Sequence, residues 1–332
     1  MVNRTWGYWT EQKLGMLAAY LPAFNRASQS VRSGTTYLDL FAGDTSNISR
    51  TTGDVISGSP LIALEAVPQF ARVVLFELPA QASRLDAELR QRYPDRDLKV
   101  WAGDCNDRIS EALAALDRHR GAPTFALVDQ YAAEIHWFSL EQLARFKQHS
   151  PYKTELWLLF APSMLRRGLA AEDAAAVARF ESRIDAMYGC RDWASIVRAR
   201  QTGAITGAEL REQLTNLMRW RLETVLGYRT THAFEMKNVT GGPIYTMIFA
   251  TDNAAGDRIM AHIYGQASEM QPRMRAEALA KRQAMRDEES GALGLFDPPP
   301  PELPPGKLYQ HQPPTRPSGT RLCVECGGVR AS

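Results

Sequence analysis

The sequence predicts an α/β protein: an open, mostly parallel sheet closed at one edge by an antiparallel hairpin, with a helical insertion and a disordered, extended C-terminal tail. Three observations predict it. Five short, almost continuously apolar runs, at residues 36–41, 72–77, 98–101, 124–128 and 155–160, alternate with helical patterns, as parallel strands buried on both faces do. Two further strand-like runs, 228–236 and 244–250, come together around Gly241-Gly242 with no helix between them, which reads as a hairpin. Residues 290–332 hold nine of the 19 prolines, a density that blocks helix and ladder alike.

Taken in order, the opening residues mix Trp6, Tyr8 and Trp9 with polar side chains beside Arg4, so these rings either stack on a base or staple the first helix to the core. After the first strand comes a polar stretch over 45–57, then Gly58-Ser59-Pro60, with Ser59 read as helix cap and Pro60 as first helical residue. Crossover helices are expected at 81–92, 107–116 and 140–146, the last opened by a capping box of Ser139 and Gln142. Residues 165–226 read as a helical insertion, with a second capping box, Thr206 and Glu209, ahead of an apolar stripe from Leu210 to Val225. Its ten arginines, Arg166, Arg167, Arg219 and Arg221 among them, are solvated faces in one reading and a groove for nucleic acid or an acidic partner in the other. Residues 1–289 form one domain and 290–332 the tail.

Composition narrows the function classes. Lys+Arg 39 against Asp+Glu 37 leaves a net charge of +2, so no overall basic field points to nucleic acid. Four cysteines among 332 residues do not make a disulfide framework, which favours a reducing cytoplasm. No run approaches the roughly 18 apolar residues of a membrane span, and no signal-like segment opens the chain, so a soluble intracellular protein is expected.

Open α/β sheets bind ligands at the carboxyl ends of their strands. Four consecutive strands end there in a carboxylate: Asp39, Glu77, Asp104 and Asp129. The first is followed by Phe41-Ala42-Gly43-Asp44, where Gly43 lets a ligand approach the backbone. Each feature has a plainer reading, a turn for Gly43 and helix caps for Asp104 and Asp129. Neither G-x-x-x-x-G-K-[ST] nor a full G-x-G-x-x-G is present, so a nucleoside without pyrophosphate fits better than a dinucleotide. S-adenosylmethionine, with a ribose diol, an adenine and a cationic sulfonium, suits such a carboxylate series. A divalent-metal cluster of Asp39, Asp44, Glu77 and Asp104 is the weaker alternative, since the side chains are spread over successive strand tips.

Thr36-Tyr-Leu-Asp-Leu-Phe-Ala-Gly43, Gly58-Ser59-Pro60-Leu61, Phe76-Glu77, Gly103-Asp104-Cys105-Asn106 and Asp129-Gln130-Tyr131 resemble the three-Cys-motif partner (TcmP) proteins. So do Lys13-Leu14 with Tyr20-Leu21 near the start and Pro243 to Thr251 with Asp257-Arg-Ile-Met260 near the end; the resemblance covers about residues 6–270. It implies a Rossmann-like, seven-stranded class I methyltransferase fold and a neighbouring radical-SAM-like partner carrying a three-cysteine motif. It also implies roles. Asp39, Phe41, Ala42 and Gly43 would line the methionine and ribose end of S-adenosylmethionine and Glu77 would hold the ribose hydroxyls. Asp104 and Cys105 would lie beside the adenine, with Asp129 and Tyr131 facing the substrate. The chain departs from the family's Asp-Pro-Tyr-Gly at Asp129-Gln130-Tyr131-Ala132, which loosens the expected geometry. Two functions therefore stand: a methyltransferase acting on a nucleobase, nucleic acid or modified small molecule, and a non-catalytic partner of the three-cysteine protein.

Three features lie outside that pattern. His136 follows the Asp129 loop closely enough to serve as a general base, or it merely caps a helix. Cys323 and Cys326 form half of a zinc knuckle with no second pair. Ala292-Leu293-Gly294-Leu295-Phe296 is similar to the peptides that bind bacterial sliding clamps, or it packs back on the domain.

Overall fold

The computed structural model describes residues 5–50, 53–147, 150–169, 173–290, 306, 308–317, 320–322 and 329–331. The chain begins with β1 (Thr5–Trp6) and α1 (Tyr8–Ala27), whose Lys13, Leu17, Tyr20, Leu21 and Phe24 are buried at helical spacing. β2 (Thr36–Asp39) follows. The stretch expected to be a polar loop instead holds two short strands, β3 (Ser46–Ser49) and β4 (Val55–Ser57). They pair antiparallel, and β3 takes β1 as a parallel neighbour, making a separate three-stranded sheet. Strands of three and four residues are too short to show a period of two in a polar sequence.

The alternating section then runs α2 (Ser59–Glu65), β5 (Arg72–Glu77), α3 (Pro79–Arg92), β6 (Leu98–Ala102), α4 (Cys105–Ala115), β7 (Thr124–Val128), α5 (Trp137–Arg145) and β8 (Glu155–Phe160). The helical insertion comprises α6 (Pro162–Leu169), α7 (Ala174–Tyr188), α8 (Asp192–Gln201) and α9 (Gly207–Thr224), and the Thr206/Glu209 capping box opens α9 as expected. β9 (Thr230–Lys237) and β10 (Pro243–Thr251) form the hairpin, and α10 (Ala254–Ser290) closes the domain. Beyond it β11 (Thr320–Leu322) pairs antiparallel with β12 (Val329–Ala331).

The main sheet has the order β6-β5-β2-β7-β8-β10-β9, parallel except for β10 and β9. This is the class I methyltransferase-like Rossmann arrangement with its antiparallel edge. Successive residues of its central strands serve opposite faces: Tyr37, Phe125 and Leu127 pack with α1 and α10, whereas Leu38, Ala126 and Val128 pack with α4, α5 and the insertion. Two cores thus sandwich one sheet, which is why the strands read as unbroken apolar runs. Among the described residues, no helix is long and apolar enough to cross a membrane.

Local chemistry departs from expectation at two helix starts. Gly58, not Ser59, is the N-cap of α2, so Ser59 is its first helical residue and Pro60 the second. α5 begins at Trp137 with His136 as its N-cap residue and no side-chain cap; Ser139 instead donates to Asn106 Oδ1 at 2.8 Å, so the Ser139/Gln142 box does not form. Asn106 offers a tertiary partner that the local pattern could not reveal.

Residues 308–317 have neither helix nor ladder, as the prolines predict, yet they are held in place. Arg219 donates to the carbonyl of Gln312 at 2.6 Å, Asn216 and Thr315 exchange hydrogen bonds of 2.7 and 2.8 Å, and Tyr309 Oη lies 3.0 Å from His232 Nδ1. In this stretch of the proline-rich tail, side-chain to backbone bonds supply what a ladder cannot. Cys323, Cys326 and the 292–296 segment lie outside the described residues.

Candidate functional site

The order of the main sheet reverses beside β2, which leads outward to β5 and β6 before the chain returns to β7 on its other side. A crevice opens at such a switch point. Here it is a cavity of about 560 Å³ at the carboxyl ends of β2, β5 and β7, within the usual range for small-molecule sites. Its floor and sides include Phe41, Ala42, Gly43, Glu77, Asp129 and Tyr131, and α1 with the small β1–β3–β4 sheet adds Trp6, Trp9, Lys13 and Asn47.

Each wall has a local cause. Gly43 has φ +66°, a left-handed turn that carries the chain off β2 and favours glycine, and its N–H donates to Glu77 Oε2 at 2.7 Å. Glu77 Oε1 accepts from the N–H of Leu78 at 2.8 Å, so both carboxylate oxygens are oriented by backbone while the side chain still borders the cavity. Gly58 lies so close to the Asp44 carbonyl that an added Cβ would sit 2.1 Å from it, which seals the loop 44–58 against α2. Arg84 pairs with Asp44 across this loop.

Asp39 is fully buried beneath the cavity and does not line it. Burial pushes its carboxyl up to about 6, against hydrogen bonds from Ser59, Tyr37 and the N–H of Phe41. Its contact with the cavity wall is indirect, through the hydrogen bond it accepts from the Phe41 N–H at 3.3 Å. Asp104 is the N-cap of α4, accepting from the N–H and side chain of Asn106 at 2.8 Å each; it is exposed and outside the cavity wall. Cys105 is buried, and burial raises its thiol well above the ordinary value, so it stays neutral. His136 is exposed at the start of α5, its backbone N–H bonded to Asn106 Oδ1 at 2.8 Å, and it too lies outside the cavity wall. The structure thus brings Phe41, Ala42, Gly43, Glu77, Asp129 and Tyr131 together and leaves Asp39, Asp104, Cys105 and His136 off the surface of the cavity.

The loop after β7 answers the question raised by its missing proline. Gln130 is buried; its Oε1 accepts from the N–H groups of Glu134 and Ile135 at 2.8 and 2.9 Å, and its Nε2 donates to the Leu159 carbonyl at 3.1 Å. Three bonds from one side chain fix the turn that a proline would otherwise restrict. Sequence reasoning missed Lys13, whose ammonium pairs with Asp129 inside the cavity. The signal was present: Lys13 heads the apolar stripe of α1, four positions before Leu17, where a solvated lysine has no place. Tyr245 was missed as well; burial, then the Asp129 charge, raises its phenol well above its ordinary value.

No family model matches the chain, and no curated protein does. Among solved structures, the crystal structure of a dimethyladenosine transferase from Plasmodium falciparum is similar over 84% of this chain and 82% of that one, at 9% identity and a TM-score of 0.29. That overlap is too loose to carry over any property of the transferase.

Proposed function

We propose that this chain is an S-adenosylmethionine-dependent methyltransferase acting on a nucleobase, in nucleic acid or as a modified small molecule, and working beside a radical-SAM-like three-Cys-motif protein. The observation that carries the cofactor is the charge of the cavity: of its four acids, Asp129 pairs with Lys13, Asp44 with Arg84, and Glu134 lies 3.9 Å from Arg183, which leaves, among the described residues, an excess of one carboxylate, Glu77, with no cationic partner. A wall with that excess suits a sulfonium cation and repels phosphate. The Gly43 turn supports the same reading, because a Cβ there would project into open space that a nucleoside can occupy.

Glu77 would hold the ribose hydroxyls, oriented as it is by two backbone N–H groups, while Phe41, Ala42 and Gly43 would pack against the rest of the nucleoside. The cofactor, when bound, supplies a methyl group already activated by its positive sulfur. The remaining work falls to this chain: to align the acceptor, to exclude water beneath α1 and the small sheet, and to offer Asp129 as the base where a proton must leave. Gln130 favours the catalytic reading over the non-catalytic one, since it rebuilds the loop that the altered motif had put in doubt. The three-cysteine partner rests on the sequence resemblance alone. Calorimetry with S-adenosylmethionine and S-adenosylhomocysteine should show saturable binding of both; a folded preparation that binds neither overturns the proposal.

A further inference from the structure

Lys13 and Asp129 place a hydrogen-bond donor and an acceptor side by side on the cavity wall, and the walls around the pair are aromatic: Phe41, Trp9, Tyr131 and Tyr245. Lys13 is held at 10% side-chain exposure and Asp129 at 21%, so the pair is fixed and still reachable. Among the described residues, the two side chains hydrogen-bond to each other alone. One ammonium hydrogen and one carboxylate oxygen are engaged in that contact, which leaves two ammonium hydrogens and the second oxygen for a ligand.

We infer that this pair reads the Watson–Crick edge of a nucleobase. The inference rests on the methyltransferase reading and names how its acceptor is recognised. Every natural base presents on that edge a ring or exocyclic N–H beside an oxygen or nitrogen acceptor. Lys13 supplies the donor that meets the acceptor, and Asp129 takes the N–H. The rings of Trp9 and Tyr131 flank a flat ligand, and stacking tolerates any base. A base paired in a duplex hides this edge, so the acceptor must arrive unpaired, as a free nucleoside or in a single strand.

The test compares nucleosides with edge-defective analogues on protein saturated with S-adenosylhomocysteine. Adenosine is set against purine riboside, guanosine against N1-methylguanosine and uridine against N3-methyluridine, each also as the central base of a short single-stranded oligonucleotide. At least one natural base should bind about tenfold more tightly than its analogue. Asp129→Ala, which removes the acceptor for the base's N–H, should erase the difference; Lys13→Met should weaken base and analogue alike, and Lys13→Arg should preserve both the binding and the difference. Whichever of nucleoside and oligonucleotide binds more tightly identifies the source of the base. Equal binding of base and analogue in every pair, or no binding by any base, overturns the inference, and these outcomes are read on the unmutated protein. Failure of S-adenosylhomocysteine itself to bind strikes the methyltransferase reading instead.

Discussion

The two ends of the main sheet hold carboxylates in opposite ways. At the carboxyl ends, Glu77 and Asp129 border a cavity and each keeps bonding capacity turned toward it. At the amino end of β8, Glu155 is wholly enclosed: it accepts from the Tyr20 hydroxyl at 2.5 Å and the Thr251 hydroxyl at 2.6 Å, with Lys147 nearby, and an added Cβ on Gly256 would come within 2.3 Å of its Oε1. Both ends are acidic and polar, yet of these three carboxylates only Glu77 and Asp129 border open space. A buried acid marks structure when its lone pairs are spent and marks a site when they face open space. By that criterion Asp39 belongs with Glu155 although it sits at the site end of the sheet.

The largest expected effect breaks the enclosed end. Glu155→Ala strands the buried hydroxyls of Tyr20 and Thr251 and takes the acidic neighbour from buried Lys147. It should cost about 3 to 5 kcal/mol in urea unfolding, with S-adenosylhomocysteine affinity unchanged in the fraction that remains folded. A loss below about 1 kcal/mol would show that the network is not closed.

The same network predicts a pH dependence. Burial raises the Glu155 carboxyl from 4.5 to about 7, despite hydrogen bonds from Thr251 and Tyr20 and the attraction of Lys147. The folded state then holds a proton that the unfolded chain releases near pH 4.5, so this contribution to stability is complete below 4.5 and is lost as pH climbs through 7. Relative to Glu155→Gln, which does not titrate, the unmutated protein should lose up to about 3 kcal/mol between those limits. Parallel urea-stability curves for the two proteins over pH 4.5 to 7.5 would remove Glu155 as the titrating group.

Much of this contrast was legible in the sequence, but not all of it. The apolar runs placed every strand of the main sheet because the central ones are buried on both faces, and the serial carboxylates pointed to the end that holds the cavity. The cover was not legible: β1, β3 and β4 are short and polar, and they exist because they pair with one another, not because they are apolar. Nor could spacing show that Asp39 faces inward while Glu77 faces the cavity, since neighbouring strand tips differ by a turn of the backbone. Lys13 lies 116 positions from Asp129, a pairing that only the packing of α1 over β7 creates. The seating of residues 308–317 hangs on Asn216, Arg219 and His232, polar side chains with no local reason to mark a groove.

The open end yields a smaller effect that sharpens the comparison. Glu77→Ala removes a partially exposed acid whose two backbone donors can turn to water, so stability should change by less than about 1 kcal/mol. S-adenosylhomocysteine affinity should fall at least tenfold, roughly the worth of one charge-assisted hydrogen bond to a ribose diol. A large loss of stability with unchanged affinity would move Glu77 into the structural class with Glu155.

Asp104 is the most delicate case, because a strand-tip carboxylate can be a ligand or a cap, and its geometry is that of a cap. Its Oδ1 accepts both bonds from Asn106, and Asn106 in turn holds the His136 N–H, the Ser139 hydroxyl and the Glu134 carbonyl. Removing the acid therefore loosens the start of α4 and, through Asn106, the start of α5. Asp104→Ala should cost about 1 kcal/mol, while Asp104→Ser, which can still accept from the helix, should restore most of it. Neither should alter S-adenosylhomocysteine affinity by more than about twofold, because twofold is under 0.5 kcal/mol and Asp104 lies outside the cavity wall. A tenfold loss of affinity in both variants would instead place this carboxylate beside the adenine and extend the open end of the sheet by one strand.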